Sequence, residues 1–154
     1  MKKIITLIAL LIISVSSCDL LGDPFDLWVR AELERVEFMD IPAEDLIGVN
    51  SIQDAIDWVG DRIFYRSYEY DNIKSPKKTL EDGFGDCEDY VLLVMNVVYC
   101  ALGIRMDFAI IDWLHDGTLH AVLLYNGNLY DAQSGCLHYE EVEYLYLFKT
   151  AFKF

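Results

Sequence analysis

The feature that most constrains this sequence is a nearly unbroken apolar run from Cys87 to Leu102. Its valines would suit a strand, but the run is far longer than the usual strand of about 5–6 residues. Gly103 stands where a helix commonly ends. We therefore predict a helix that is buried on most sides, with Asp86 as its N-cap. Asn96 lies inside this helix and needs a buried hydrogen-bond partner.

Helical signals also precede this run. Residues 24–38 carry Pro24 at a first-turn position and an apolar stripe, which predicts one helix. A second helix is predicted to begin at Ser51, which with Asp54 approximates a capping box. We interpret residues 39–50 as a connection with one short helical turn. The segment 74–86, rich in charge, proline and glycine, is predicted to be a loop.

Beyond Gly103 the apolar pattern changes to a period of two, which is typical of strands. Strands are predicted over 105–113, 118–126 and 129–133. Asn126-Gly127 predicts a tight hairpin turn between the last two. The tail, residues 138–154, fits helix and strand equally well. Helices followed by an antiparallel meander predict an α+β fold, with the cysteine-bearing helix packed on the sheet.

The N-terminus has the features of an export signal. Met1-Lys2-Lys3 is followed by an apolar run that is short for a membrane span, and then by Val-Ser-Ser-Cys ending at Cys18. That ending resembles a bacterial lipobox, and the resemblance implies cleavage before Cys18 and lipid attachment to it. A plain signal peptide or a retained anchor is the alternative. The predicted division is therefore a signal peptide over 1–17 and one domain over 18–154.

The overall charge disfavours one class of partner. The formal net charge is −14 at pH 7, and removal of residues 1–17 with their two lysines gives −14 − 2 = −16. Nucleic acid binding needs clustered Lys and Arg to neutralise phosphates, so a nucleic acid partner is not expected.

The four cysteines give a second constraint, since lipid on Cys18 would leave three in an exported chain. At least one thiol is then free or pairs outside the chain. A Cys100–Cys136 disulfide remains possible from the sequence. No pair has Cys-x-x-Cys spacing, so a structural zinc site has no support.

Cys87 lies among carboxylates at the predicted start of the long helix. Unpaired amides and the helix dipole at that end favour a thiolate. Glu88 and Asp89 oppose it, and we expect both to point outward into solvent, where they cost little. A histidine must then reach Cys87 if this residue is to act as a nucleophile.

Of the three histidines, His115 falls in a predicted loop, His138 in the ambiguous tail, and His120 in a predicted strand. A two-residue turn at Asn126-Gly127 pairs residues whose numbers add up to 253. With this register, Asp131 lies diagonally opposite His120 on the same face of the sheet. The separation expected between their backbones is about 5–8 Å. The turn thus predicts a carboxylate beside the strand histidine, the orienting arrangement of a catalytic triad.

The segments SPKKTLEDGFGDCEDYVLLV, LGI and LHAVLLYNGNLYDAQ together resemble the core of transglutaminase-like cysteine enzymes, over about residues 50–132. This superfamily has a papain-like fold and includes bacterial cysteine peptidases. The resemblance implies Cys87 as nucleophile, His120 as base and Asp131 as the residue that orients the base. Two departures are Val122-Leu123, where an aromatic residue is common, and Ala132-Gln133, where a proline is common.

The sequence therefore favours a lipid-anchored cell-envelope enzyme that cleaves or transfers amide bonds of peptides or proteins. No metal or organic cofactor is implied. A non-catalytic envelope module that keeps the same scaffold to bind a partner is the alternative. Candidates for the oxyanion donor are the backbone N–H of Cys87 and the side chains of Tyr65, Tyr68 and Gln133.

Overall fold

The computed structural model describes residues 23–67, 73–112, 117–137 and 144–148. The chain divides into two compact units, residues 1–33 and 34–154. The described part of the first unit is helix α1, Pro24–Leu33, shorter than the predicted 24–38. In it Arg30 and Asp26 form an ion pair of 2.8 Å across one helical turn. The predicted boundary between residues 17 and 18 lies outside the described residues and stays a prediction.

The second unit contains helices, two short paired strands and a larger sheet. Its elements are a 3-10 turn at Ala43–Leu46, α2 (Ile52–Gly60), β1 (Phe64–Tyr65), α3 (Pro76–Asp82), β2 (Phe84–Gly85), α4 (Cys87–Leu102), β3 (Asp107–Asp112), β4 (Leu119–Tyr125), β5 (Asn128–Asp131), β6 (Gly135–Leu137) and β7 (Tyr144–Phe148). The α+β class is confirmed, and so is the short helical turn inside the connection 39–50.

The caps of the two long helices agree with the sequence signals. The Ser51 hydroxyl accepts a hydrogen bond from the backbone N–H of Asp54 and starts α2. Helix α4 begins after Asp86, whose Oδ1 accepts the N–H of Asp89 at 3.4 Å. It ends at Gly103, which takes φ of +67°, a backbone conformation that residues with a Cβ avoid. The predicted helix and both of its ends are therefore confirmed.

The prediction of a loop over 74–86 is wrong. Residues 76–82 form α3, and the Ser75 hydroxyl caps it by accepting the N–H of Lys78 at 3.3 Å. Pro76 occupies the first turn, and Gly83 ends the helix with φ of +72°. Pro76 and Gly83, which suggested a loop, are thus the start and stop signals of a short helix.

A second difference from the predicted structure is a two-stranded parallel pair formed by β1 and β2. Strands β1 and β2 pair with Phe64 opposite Phe84 and Tyr65 opposite Gly85. The N–H of Arg66 extends the ladder by donating to the carbonyl of Gly85 at 2.8 Å. This pairing brings Tyr65 to the segment immediately before Cys87.

The larger sheet has the order β6-β5-β4-β3-β7, and its described pairs are all antiparallel. Tyr125 faces Asn128 and Leu123 faces Tyr130, so the paired positions sum to 253 as predicted. Asn126 and Gly127 form the turn with φ of +51° and +78°, the left-handed values of a two-residue hairpin. The tail, which the sequence left open, supplies the edge strand β7 next to β3.

Helix α4 packs on β4 and forms the centre of the core, as predicted. Its residues from Tyr90 to Val98 are buried. Asn96 has no exposed surface, and its side chain pairs with both backbone groups of Met39: Oδ1 accepts the N–H at 2.8 Å and Nδ2 donates to the carbonyl at 2.8 Å. The connection before α2 is thereby held against the cysteine-bearing helix. Within the described residues, no helix has the length and apolar character that crossing a bilayer requires.

Candidate active site

Cys87 is the first residue of α4 and is half-buried between that helix and the large sheet. The backbone N–H of Ala121 on β4 lies close enough to its thiol to lower the pKa of Cys87. Ala121 directly follows His120. The packing of α4 on β4 therefore brings the helix-terminal sulfur to the part of the strand that carries the histidine.

His120 and Asp131 lie on the neighbouring strands β4 and β5, as the hairpin register predicted. Nε2 of His120 is 3.5 Å from Oδ1 of Asp131, longer than an ordinary hydrogen bond. Contacts in a resting site are often long and shorten when a substrate binds. Nε2 is the ring nitrogen that faces the carboxylate, and in the tautomer with its proton on Nε2 the other nitrogen, Nδ1, is the acceptor.

Asp131 also closes the turn that follows β5. Its Oδ1 accepts the backbone N–H of Gln133 at 3.0 Å, and its Oδ2 accepts the hydroxyl of Ser134 at 2.7 Å. Burial by itself would raise the pKa of the Asp131 carboxyl, but the nearby imidazole of His120 and the hydrogen bonds from Ser134 and Gln133 outweigh burial and lower it. The carboxylate is therefore charged at neutral pH and held rigidly behind the imidazole ring.

Glu88 does not point away from the site, contrary to expectation. The Cys87 thiol donates to Oε2 of Glu88, with 2.9 Å between sulfur and oxygen. Burial raises the pKa of the Cys87 thiol far above its ordinary value, and the charge and hydrogen bond of Glu88 raise it further. The N–H of Ala121 acts in the opposite direction. The resting state therefore holds a protonated thiol.

Asp89 was also expected in solvent, and that prediction is wrong. Its side chain is completely buried, with Oδ1 accepting the backbone N–H of Lys74 at 2.8 Å and Oδ2 lying 3.3 Å from the Lys74 Nζ. Burial raises the pKa of Asp89 in spite of these contacts. Lys74 Nζ also donates to the carbonyl of Phe84 at 2.8 Å, so one ammonium ties β2 to the first turn of α4.

Tyr65 is the described aromatic candidate for an oxyanion donor. It is 50% exposed, and its ring lies 6.4 Å from that of Tyr90. Burial and then the electrostatic influence of Cys87, Asp86 and Glu88 raise the pKa of its hydroxyl, which therefore lies near the candidate nucleophile. No local sequence pattern reveals the β1–β2 pairing that brings it there.

The structure gives a different result for each of the other residues that the sequence singled out. The side chain of Gln133 is exposed, and its backbone N–H is the group that contacts Asp131. Cys18, Tyr68, His115 and His138 lie outside the described residues. Cys87 and Cys100 are both free thiols, so the Cys100–Cys136 disulfide gains no support. Among the described residues, no group of three or more acidic, histidine or cysteine side chains could hold a metal ion.

Comparison with known proteins adds a likeness to a solved structure. No family model matches the chain, and no curated protein matches it. Among solved structures, one described as "a Putative Cysteine Protease from Cytophaga hutchinsonii" is similar, with a TM-score of 0.43 and 22% sequence identity. The likeness covers 55% of this chain and 31% of that chain. A likeness of this extent carries no conclusion about activity or residue roles.

Proposed function

We propose that the protein is a transglutaminase-like cysteine hydrolase or acyl-transferase that acts on amide bonds of peptides or proteins. Cys87 is the nucleophile, His120 the base and Asp131 the residue that orients the base. One observation carries the proposal: His120 Nε2 lies 3.5 Å from Asp131 Oδ1, on the strand whose Ala121 N–H contacts the Cys87 sulfur. The order of a cysteine at a helix start, a histidine on a strand and an acid on the next strand supports this assignment.

The chemistry follows from the assigned ring nitrogens. Nδ1 of His120 takes the thiol proton from Cys87, and the sulfur forms a bond to the amide carbonyl carbon. The imidazolium is stabilised by the charged carboxylate of Asp131. His120 then returns the proton to the leaving amine as the carbon–nitrogen bond breaks, which leaves a thioester on Cys87. Water attacks the thioester with His120 as base, and the acid is released; an amine in place of water would give a new amide.

The proposal includes the cellular location. The Val-Ser-Ser-Cys sequence at Cys18 supports export and lipid attachment, with the domain on the membrane surface of the cell envelope. The mass of the mature chain from bacterial expression tests this part. Loss of residues 1–17 and addition of a diacylglyceryl group at Cys18 support it, and an unmodified N-terminus contradicts it.

A second function is favoured by one specific observation. The Cys87 thiol is hydrogen-bonded to Glu88 and its pKa is raised, which suits a non-catalytic envelope module that uses the same cleft to hold a partner. The two functions differ in what His120 does to Cys87. In an enzyme the imidazole increases the reactivity of the thiol, while in a binding module it is only a packed side chain.

Alkylation of Cys87 by iodoacetamide tests this difference at pH 7. The rate is followed by mass spectrometry of the Cys87 peptide, so that Cys100 does not interfere. We expect His120→Ala to reduce the rate by about 10²-fold, the lower end of what a positioned base contributes. Leu119→Ala is the matched control, since Leu119 is the adjacent strand residue and is 44% exposed.

The outcome is decisive in either direction. A large loss in His120→Ala with none in Leu119→Ala supports the enzyme. Equal rates in all three proteins would show that the imidazole does not act on the sulfur, and the binding module would then be the better account. Circular dichroism spectra establish that each variant is folded.

A further inference from the structure

Among the described residues, no Lys or Arg forms an ion pair with Glu88, the second residue of α4. Asp82 pairs with Lys78, Glu81 with Lys77, and the buried Asp89 with Lys74. Among the described residues, the contact made by the Glu88 carboxylate is with the Cys87 thiol. The lysines of this region are thus already paired, and a half-buried carboxylate remains beside the nucleophile.

We infer that Glu88 determines substrate specificity by binding an ammonium or guanidinium group next to the amide bond that Cys87 attacks. This inference rests on the proposed function and names its substrate class: peptides with a positively charged side chain beside the reacting carbonyl.

The position of the carboxylate makes this contact possible. Glu88 Oε2 is 2.9 Å from the sulfur, so any acyl group bonded to that sulfur is within side-chain reach of the carboxylate. When the thiol loses its proton to His120, Glu88 loses the hydrogen-bond donor that it has in the resting state. A substrate cation would take the place of that donor and restore the partner of the carboxylate.

The same cation also offsets the main electrostatic obstacle to catalysis. Glu88 opposes the thiolate because two negative charges at contact distance repel each other. A positive group between them lowers the energy of the charged sulfur, so the correct substrate assists its own attack. A neutral or acidic substrate would leave the repulsion in place.

The surroundings are consistent with a cationic ligand. Asp86 and the half-exposed ring of Tyr65 lie near the same sulfur, and an aromatic face attracts cations. Arg66, the basic residue of the adjacent segment, has its guanidinium over the ring of Phe84 at 5.1 Å. The net charge of −14 further favours the approach of positive peptides.

Three peptidyl acyloxymethyl ketones that differ in one side chain test the inference. The residue next to the electrophilic carbonyl is lysine, norleucine or glutamate, and second-order rates of Cys87 labelling are measured by mass spectrometry. We expect the lysine probe to react at least about fivefold faster than the norleucine probe, from one charge pair at contact distance in a water-like dielectric. The preference should shrink as salt is added.

Glu88→Gln should remove the preference for lysine over norleucine, and the ratio of the two rates is the readout. Glu81→Gln is the matched control because it makes the same charge change on α3, away from the sulfur, and should keep the preference.

Two kinds of failure remain distinguishable. If all three probes label Cys87 in a His120-dependent way but at equal rates, the specificity inference is wrong and the enzyme assignment stands. The inference is also wrong if Glu88→Gln keeps the lysine preference. If none of the probes labels Cys87 and iodoacetamide labelling is independent of His120, the proposed function itself is wrong, and the inference falls with it.

Discussion

Substitution of Gly85 by alanine would disturb the junction that positions the nucleophile. A Cβ at this position would lie 2.6 Å from Cβ of Asp89, 3.1 Å from its Oδ2 and 3.2 Å from Cγ2 of Thr79. Carbon atoms in contact prefer about 3.5–4.0 Å, so the overlap with Asp89 is about 1 Å. Cβ of Asp89 is fixed to the backbone of α4, and the strand or the helix must therefore move.

The expected cost has two parts. Overpacking of this kind destabilises a protein by about 1–3 kcal/mol. Movement of Asp89 away from Lys74, now at 3.3 Å, adds to this because a buried carboxylate loses its partner. We expect a total loss of about 2–4 kcal/mol in the free energy of unfolding, together with a change in the alkylation rate of Cys87, two residues along the chain.

Urea unfolding of wild type, Gly85→Ala and Gly60→Ala measures the effect. Gly60 is the last residue of α2 and has nothing within 4 Å of an added Cβ, so its substitution introduces a methyl group into open space. Gly60→Ala should leave stability unchanged or raise it by up to about 1 kcal/mol. If the free energy of unfolding of Gly85→Ala is within about 0.5 kcal/mol of the wild-type value, the close packing of β2 on α4 does not determine where the helix starts.

Two further predictions concern the buried polar groups. Asn96→Ala should lower the free energy of unfolding by about 2–4 kcal/mol, because both backbone groups of Met39 lose their hydrogen-bond partners. An unchanged midpoint in urea unfolding would contradict this. Asp131 has a folded-state pKa below its unfolded value, so its stabilisation is present above about pH 4 and is lost as pH falls through the folded pKa. Asp131→Asn should therefore be less stable at neutral pH and show a shallower loss of stability towards acid; parallel curves for the two proteins would refute the sign.

Local signals in the sequence determined the main helix and the hairpin. Asp86 and Gly103 mark the ends of α4 because capping and left-handed backbone depend on one or two residues at each end. Asn126-Gly127 fixed the turn, and the turn fixed the pairing that brings His120 and Asp131 to 3.5 Å. The helix ends and the hairpin register each depend on residues that are close together in the chain, so the sequence pattern alone was sufficient to predict them.

Tertiary packing decided what the local pattern could not. Glu88 and Asp89 are consecutive acids in one helical turn, yet one contacts the thiol and the other is buried against Lys74. The difference depends on an ammonium fifteen positions earlier in the chain and on the close approach of β2 to α4. Contacts between distant segments set the charge around Cys87, because burial and partners, rather than residue type, determine the energy of a charged group.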